Sequence, residues 1–106
     1  MEEKTHFRQG LISNLAEMAF DEQLERFQRE NPVVENAKEE IVGNWLDYYT
    51  SELLAYSPFR VEFKSEELQA IRAFTEELSK LRTEEWGQRW KDIQIRARIL
   101  LQQLTG

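Results

Sequence analysis

The 106-residue chain contains no cysteine, a single histidine, two prolines and four glycines, and each scarcity excludes a class of chemistry. Without cysteine there are no disulfides, no thiolate zinc sites, no iron–sulfur clusters and no thiol nucleophile. His6 is the only imidazole and has no Glu-x-x-His or His-x-x-x-His spacing around it, so neither a helical zinc site nor a di-iron centre can be assembled. Gly10, Gly43, Gly87 and Gly106 stand alone, which removes a glycine-rich phosphate loop, and no serine sits in a Gly-x-Ser-x-Gly elbow. No apolar run approaches the roughly 18 residues of a membrane span. The opening MEEKTHFRQG lacks the basic stretch and apolar block of a signal peptide, so a cytoplasmic location is expected, with no membrane partner.

What is present suits a folded core. Hydrophobic residues make up 41% of the chain, with three Trp, three Tyr and six Phe, too apolar for a disordered segment despite 32% charged residues. Residues 1–106 read as a single helical domain without repeats or linkers. Fourteen Lys and Arg face twenty Asp and Glu, a net charge of −6. Residues 1–53 carry 12 acids and 5 bases, residues 54–106 carry 8 acids and 9 bases, so the acidity belongs to the first half. Binding to a nucleic-acid backbone needs a dense cationic surface, and no nucleic-acid partner is expected; a basic protein partner or plain solubility fits the balance.

Periodicity divides the chain into helices. Phe7, Leu11, Leu15 and Met18 mark one face, and Phe20, Leu24 and Phe27 a rotated one, so the register slips near Asp21 and predicts two pieces or a kink, with Asp21 as a cap. Asn31-Pro32 reads as a helix start, followed by a helix over 32–56 with Val34, Ala37, Ile41, Trp45 and Tyr48 in one buried stripe and Tyr49, Leu53 and Tyr56 beside it. Ser57-Pro58 ends it. Phe59, Val61 and Phe63 alternate with charges, which predicts a short extended connector near 58–64 that inserts its apolar residues into the bundle. Ser65 with Glu66 and Glu67 caps a helix to about Arg82, lined by Leu68, Ile71, Phe74, Leu78 and Leu81. Thr83 with Glu84 and Glu85 opens a last helix, on which Trp86, Trp90, Ile93, Ala97, Leu100 and Leu104 recur at helical spacing. Ile95, Ile99 and Leu101 lie off that line, to be covered by the first helix or left for a partner. The expected fold is all-α, a compact bundle of four to five helices with that connector.

Candidate chemistry is sparse. Adjacent carboxylates such as Glu39-Glu40 and Glu84-Glu85 point about 100° apart on a helix and do not face each other across a substrate. No activated nucleophile or positioned base emerges, so no catalytic residue, metal site or cofactor is assigned and the protein is read as a non-enzyme. A carboxyl of strongly raised pKa in a cleft is the feature that would favour an enzyme using Tyr48 or Tyr49. Asn36, Glu39, Glu40, Gly43 and Asp47 fall within roughly one hundred degrees on the outer face of the helix over 32–56. This acidic strip, Asn36, Glu39, Glu40 and Asp47 with Tyr48 and Tyr49 at its edge, is the expected partner-binding surface. Gly43 and Gly87, within helical patterns, read as points of close packing or, for Gly43, as room for that partner.

The stretch from Phe63 to Phe74, FKSEELQAIRAF, followed by Trp86 or Trp90 and a terminal helix with Ala97, Leu100 and Leu104, resembles the C-terminal half of small acidic helical bacterial immunity proteins over residues 45–104. The resemblance implies a stoichiometric inhibitor that occludes a cognate toxin domain, presents an acidic face to a basic surface and needs no catalytic residue. Steering between opposite charges speeds such capture, and aromatic anchors lengthen it. The alternative is a structural or regulatory interaction module, a phage or host adaptor or a helical homodimer joined through Ile95, Ile99 and Leu101; the chain is expected to be a monomer or a homodimer.

Overall fold

In the computed structural model, which describes residues 6–106, Trp86, Trp90, Ile93, Ala97, Leu100 and Leu104 are all buried, as their spacing predicts. The beginning of the MEEKTHFRQG segment lies outside the described residues. Among the described residues eight helical segments follow one another: α1 (His6–Ala19), α2 (Asp21–Glu30), α3 (Ala37–Tyr48), α4 (Ser51–Leu54), α5 (Ser57–Arg60), α6 (Ser65–Lys80), α7 (Thr83–Gln88) and α8 (Trp90–Thr105). Among the described residues there is no strand, so the chain is an all-α bundle. α1, α2, α3, α6 and α8, of 10 to 16 residues each, make the body, and three short segments make the corners. α1 lies along α8, α6 flanks α8, and α3 packs on α1, α6 and α7.

The register slip near Asp21 is a true break. Phe20 takes an extended conformation between α1 and α2 and stands at the N-cap position, so Asp21 is the first helical residue and not the cap. Its carboxylate instead accepts a hydrogen bond from Gln94 Nε2 at 2.8 Å and ties α2 to α8. Rotating the stripe at this point lets Leu11, Leu15 and Met18 face α8 and α3 while Leu24 enters the same core from another direction.

The helix expected over 32–56 is shorter at both ends. Asn31 closes α2, its backbone N–H and side-chain amide both donating to the carbonyl of Phe27. The next start falls at Asn36, whose Oδ1 accepts from Glu39 N at 3.2 Å. Val33 and Val34, β-branched and poor in a first helical turn, lie between the two asparagines and stay outside the helix. The far end stops at Tyr48 because Thr50 offers a competing cap, its hydroxyl accepting from Leu53 N.

The connector near 58–64 is not an extended segment but a helical turn followed by hydrogen-bonded turns, and within it Lys64 alone is extended, at the entry to α6. Pro58 occupies the first turn of α5, where its preset φ is favourable. Successive turn bonds then run from Glu62 N to Phe59 O and from Phe63 N to Arg60 O. Phe59 and Phe63 are therefore a helical turn apart, their rings 4.8 Å from each other in the core, whereas Val61 is 79% exposed and does not insert. The alternation of apolar and charged residues is compatible with both conformations over so short a stretch.

Caps also shift by one residue further on. Ser65 and Thr83 are first helical residues; the carboxylates of Glu67 and Glu85 accept from the backbone N–H groups of Lys64 and Arg82, each at 2.8 Å. A one-residue break at Arg89 separates α7 from α8. A Cβ placed on Gly43 or Gly87 would meet no atom within 4 Å, so close packing requires neither glycine.

Arg8 fastens one end of the bundle. Its guanidinium donates to both oxygens of Glu67 at 2.9 Å, to the carbonyl of Glu62 at 2.9 Å and to that of Leu104 at 2.7 Å. Its backbone N–H donates to the Glu62 carboxylate at 2.8 Å. A single side chain thus joins α1, the turn before α6, the first turn of α6 and the end of α8. The hydrogen bonds from Arg8, aided by the one from Lys64, hold the Glu67 carboxyl below its ordinary 4.5 against the opposing effect of burial.

Candidate partner-binding surface

α3 divides its residues between two duties. Ile41, Val42 and Trp45 face the core, and Trp45 Nε1 donates to Thr75 Oγ1 on α6 at 3.0 Å, which fixes the rotation of the helix. The opposite side carries the acidic strip. Asn36, Glu40 and Asp47 are exposed, Glu39 is partly covered, and Gly43 lies among them with open space above it. Glu39 and Glu40 occupy the first turn, at the positive end of the helix dipole, so they support α3 locally as well as charging the surface.

The two tyrosines at its edge separate. Tyr48 is 51% exposed, while Tyr49 is 2% exposed and belongs to the core, its ring 4.3 Å from that of Trp45. Tyr49 therefore braces the surface from inside and presents no face to a partner; four residues beyond Trp45, it continues the buried side of α3. Its hydroxyl accepts from Asn14 Nδ2 at 2.7 Å, and burial pushes its pKa up to about 12. It is a neutral phenol at any physiological pH.

Beside the strip lies a cleft of about 430 Å³, bounded by α1, α2 and α3. Phe7, Gly10, Asn14 and Glu17 follow one another at spacings of three and four on α1 and form one wall. Phe27 of α2 forms a second, and Asn44 and Tyr48 of α3 the third. On α3, Asn44 lies roughly 60° from Asp47, so the cleft and the acidic strip share a rim. Glu17 is half-buried, and its carboxyl is raised above the ordinary 4.5, first by desolvation and then by the charge of Glu30, with Arg26 acting the other way. Arg26 is itself engaged by Glu30 at 3.3 Å. The sequence does not announce this cleft, because Asn14, Glu17 and Asn44 are ordinary polar positions on helices until the packing of three helices brings them together. The spacing of Gly10, Asn14 and Glu17 along one side of α1 is the one local signal of it.

The face of α8 is of another character. Ile95 and Ile99 are 55% and 57% exposed, whereas Leu101 packs against the core, so the three off-line residues part company. Lys38 lies over the Trp90 ring and Arg98 over the Phe20 ring, each 5.7 Å from the centroid, and Arg98 also donates to the carbonyl of Ala19. Of the tryptophans in this half, Trp86 and Trp90 are both buried, and the cations near them act as covers for aromatic rings. Among the described residues no group of three or more His, Asp or Glu comes together to hold a metal ion, and no helix is long and apolar enough to cross a membrane. No known family of proteins matches the chain, and no curated protein or solved structure matches it either.

Proposed function

We propose that the chain is a non-catalytic protein-binding inhibitor of the immunity type, which occludes a basic toxin domain of bacterial origin with the acidic face of α3. The observation that carries this reading is the exposed strip of Asn36, Glu40 and Asp47 with Glu39, rimmed by the half-exposed Tyr48 and fixed in place by the anchoring of Trp45. Such a face steers a cationic partner, and an aromatic residue at its edge supplies contact area at low entropic cost. Glu17 in the adjoining cleft is a carboxyl of raised pKa, but the buried phenol in the same lining, Tyr49, stays protonated and offers no base or nucleophile for it to work with. Capture of proteins from the source organism by the tagged chain tests the reading. One basic toxin domain is expected to be retained at low salt and weakened at about 0.5 M salt, where screening acts within roughly 4 Å. Reversal of Glu39, Glu40 and Asp47 to Lys is expected to abolish capture; undiminished capture by that variant overturns the site.

A second reading, a helical interaction module that pairs with its own copy, is favoured by Ile95 and Ile99 together with an apolar groove of about 250 Å³ between α6 and α8, lined by Ala70, Ala73 and Ile99. Sedimentation equilibrium distinguishes it: a dimer that Ile99→Glu dissociates supports this reading, and a monomer at every concentration removes it.

A further inference from the structure

The cleft between α1, α2 and α3 has the lining of a receptor for one positively charged side chain. Phe27 and Tyr48 supply partly exposed aromatic faces, on which a planar cation stacks. Glu17 supplies a carboxylate, half withdrawn from water, that among the described residues forms no hydrogen bond or ion pair, since Arg26 is taken up by Glu30. Asn14 commits its amide N–H to the Tyr49 hydroxyl, its carbonyl accepts from no donor among the described residues, and Asn44 adds another amide at the rim. Among the described residues no Lys or Arg lines the space, and His6 is the one imidazole in its lining. Gly10 leaves it open: a Cβ there would meet nothing within 4 Å.

We propose that this cleft receives an arginine side chain of the protein partner, the guanidinium bridging the Glu17 carboxylate and the Asn14 carbonyl while its flat face rests on Tyr48 or Phe27. The proposal rests on the reading of the adjoining strip as a docking face for a basic protein, and it names the contact that such a face lacks, a point of deep insertion. Arginine is preferred to lysine because its five donors spread in a plane, match a carboxylate in pairs and tolerate loss of water better than an ammonium. The raised pKa of Glu17 fits an anion whose compensating charge arrives from outside the chain.

The test needs no identified partner. N-acetyl-arginine methylamide is titrated into the whole isotope-labelled chain, and the Gly10 backbone amide and the Asn14 and Asn44 side-chain amides are followed by NMR. Saturable shifts with a dissociation constant on the order of millimolar are expected for a ligand of this size. The neutral citrulline analogue is expected to bind at least about tenfold more weakly, as is arginine to Glu17→Gln, because a charge-assisted bidentate contact is lost in each. Gly10→Leu, which fills the cleft while improving the helix, is expected to abolish the shifts, and Glu76→Gln on distant α6 to leave them unchanged. Equal binding of arginine and citrulline, full affinity in Glu17→Gln, or absence of saturation overturns the proposal; tighter binding of the lysine analogue overturns the choice of guanidinium. Failure here leaves the strip to be judged by the capture experiment, and failure of capture in the presence of arginine binding removes the partner reading while the cation site stands.

Discussion

The chain withdraws two carboxylates from water at two places along α1, and treats them in opposite ways. At the end of the bundle Glu67 receives a bidentate guanidinium, a backbone N–H and a neighbouring turn, and its pKa falls. In the cleft Glu17 receives no such partner among the described residues, and its pKa rises. α1 serves both regions because Arg8 and Glu17 are nine residues apart, which at 100° a step places them on opposite sides of the helix. A charge that has only to hold the fold is neutralised within the chain. A charge left at the wall of an open cleft keeps its demand for a cation, which is what a binding surface retains and a structural one removes.

Cutting the Arg8 contacts strips Glu67 of its cation. Arg8→Ala leaves Glu67, 8% exposed in its side chain, with only the Lys64 N–H, and leaves the carbonyls of Glu62 and Leu104 without their donor. A loss of about 3 kcal/mol is expected in urea denaturation, as for removal of one member of a buried ion pair. A loss under about 1 kcal/mol places the pair among exposed contacts and ends the contrast with Glu17.

Acid separates the two carboxylates, which act on stability with opposite signs. Glu67 has its folded pKa below the ordinary 4.5, so its contribution is complete above that value and is lost as the pH falls through the folded pKa. Glu17 has its folded pKa above 4.5; between the two values the folded chain binds more protons than the unfolded one, and stability rises as the pH falls. Denaturation midpoints followed downward from neutral pH are expected to show Glu67→Gln with a flatter acid limb than the parent chain. Glu17→Gln is expected to gain stability at neutral pH and to lose the small rise that precedes acid unfolding. Identical pH profiles for the two variants refute the distinction.

The regions differ as well in how much of them is legible in the sequence. The buried faces of α6 and α8 can be read directly because apolar residues at spacings of three and four leave few alternatives. The starts cannot: Asn31 and Asn36 are five residues apart and equally good caps, and only the cost of helical Val33 and Val34 and the bond from Asn31 back to Phe27 decide between them. Phe59, Val61 and Phe63 satisfy a period of two and, through Phe59 and Phe63, a period of four, so tertiary packing chooses. The exposed part of the acidic strip is visible from the helical projection of α3; the same projection puts Tyr49, four residues beyond Trp45, on the buried side, so its placement at the edge of the strip goes against the projection. The Arg8 clamp and the cleft depend on residues 54 or more positions apart in the first case and on three separate helices in the second; no local pattern encodes the clamp, and of the cleft only the wall of Gly10, Asn14 and Glu17 has a local spacing.

The smallest expected effect bears on the cleft alone. Gly10 lies within α1 at ordinary helical backbone angles, with no positive φ among the described glycines and nothing within 4 Å of the place a methyl group would take. Alanine there relieves the entropic cost of a helical glycine without a clash, so Gly10→Ala is expected to stabilise the chain by about 0.5–1 kcal/mol in urea denaturation. Gly43→Ala and Gly87→Ala, equally open in space, set the scale for the same gain on other faces. At Gly10 the open space is the wall of the cleft shared with Glu17. A destabilising Gly10→Ala beside stabilising Gly43→Ala and Gly87→Ala means instead that the α1 wall is already in contact with the rest of the fold, and that the cleft is narrower than a guanidinium requires.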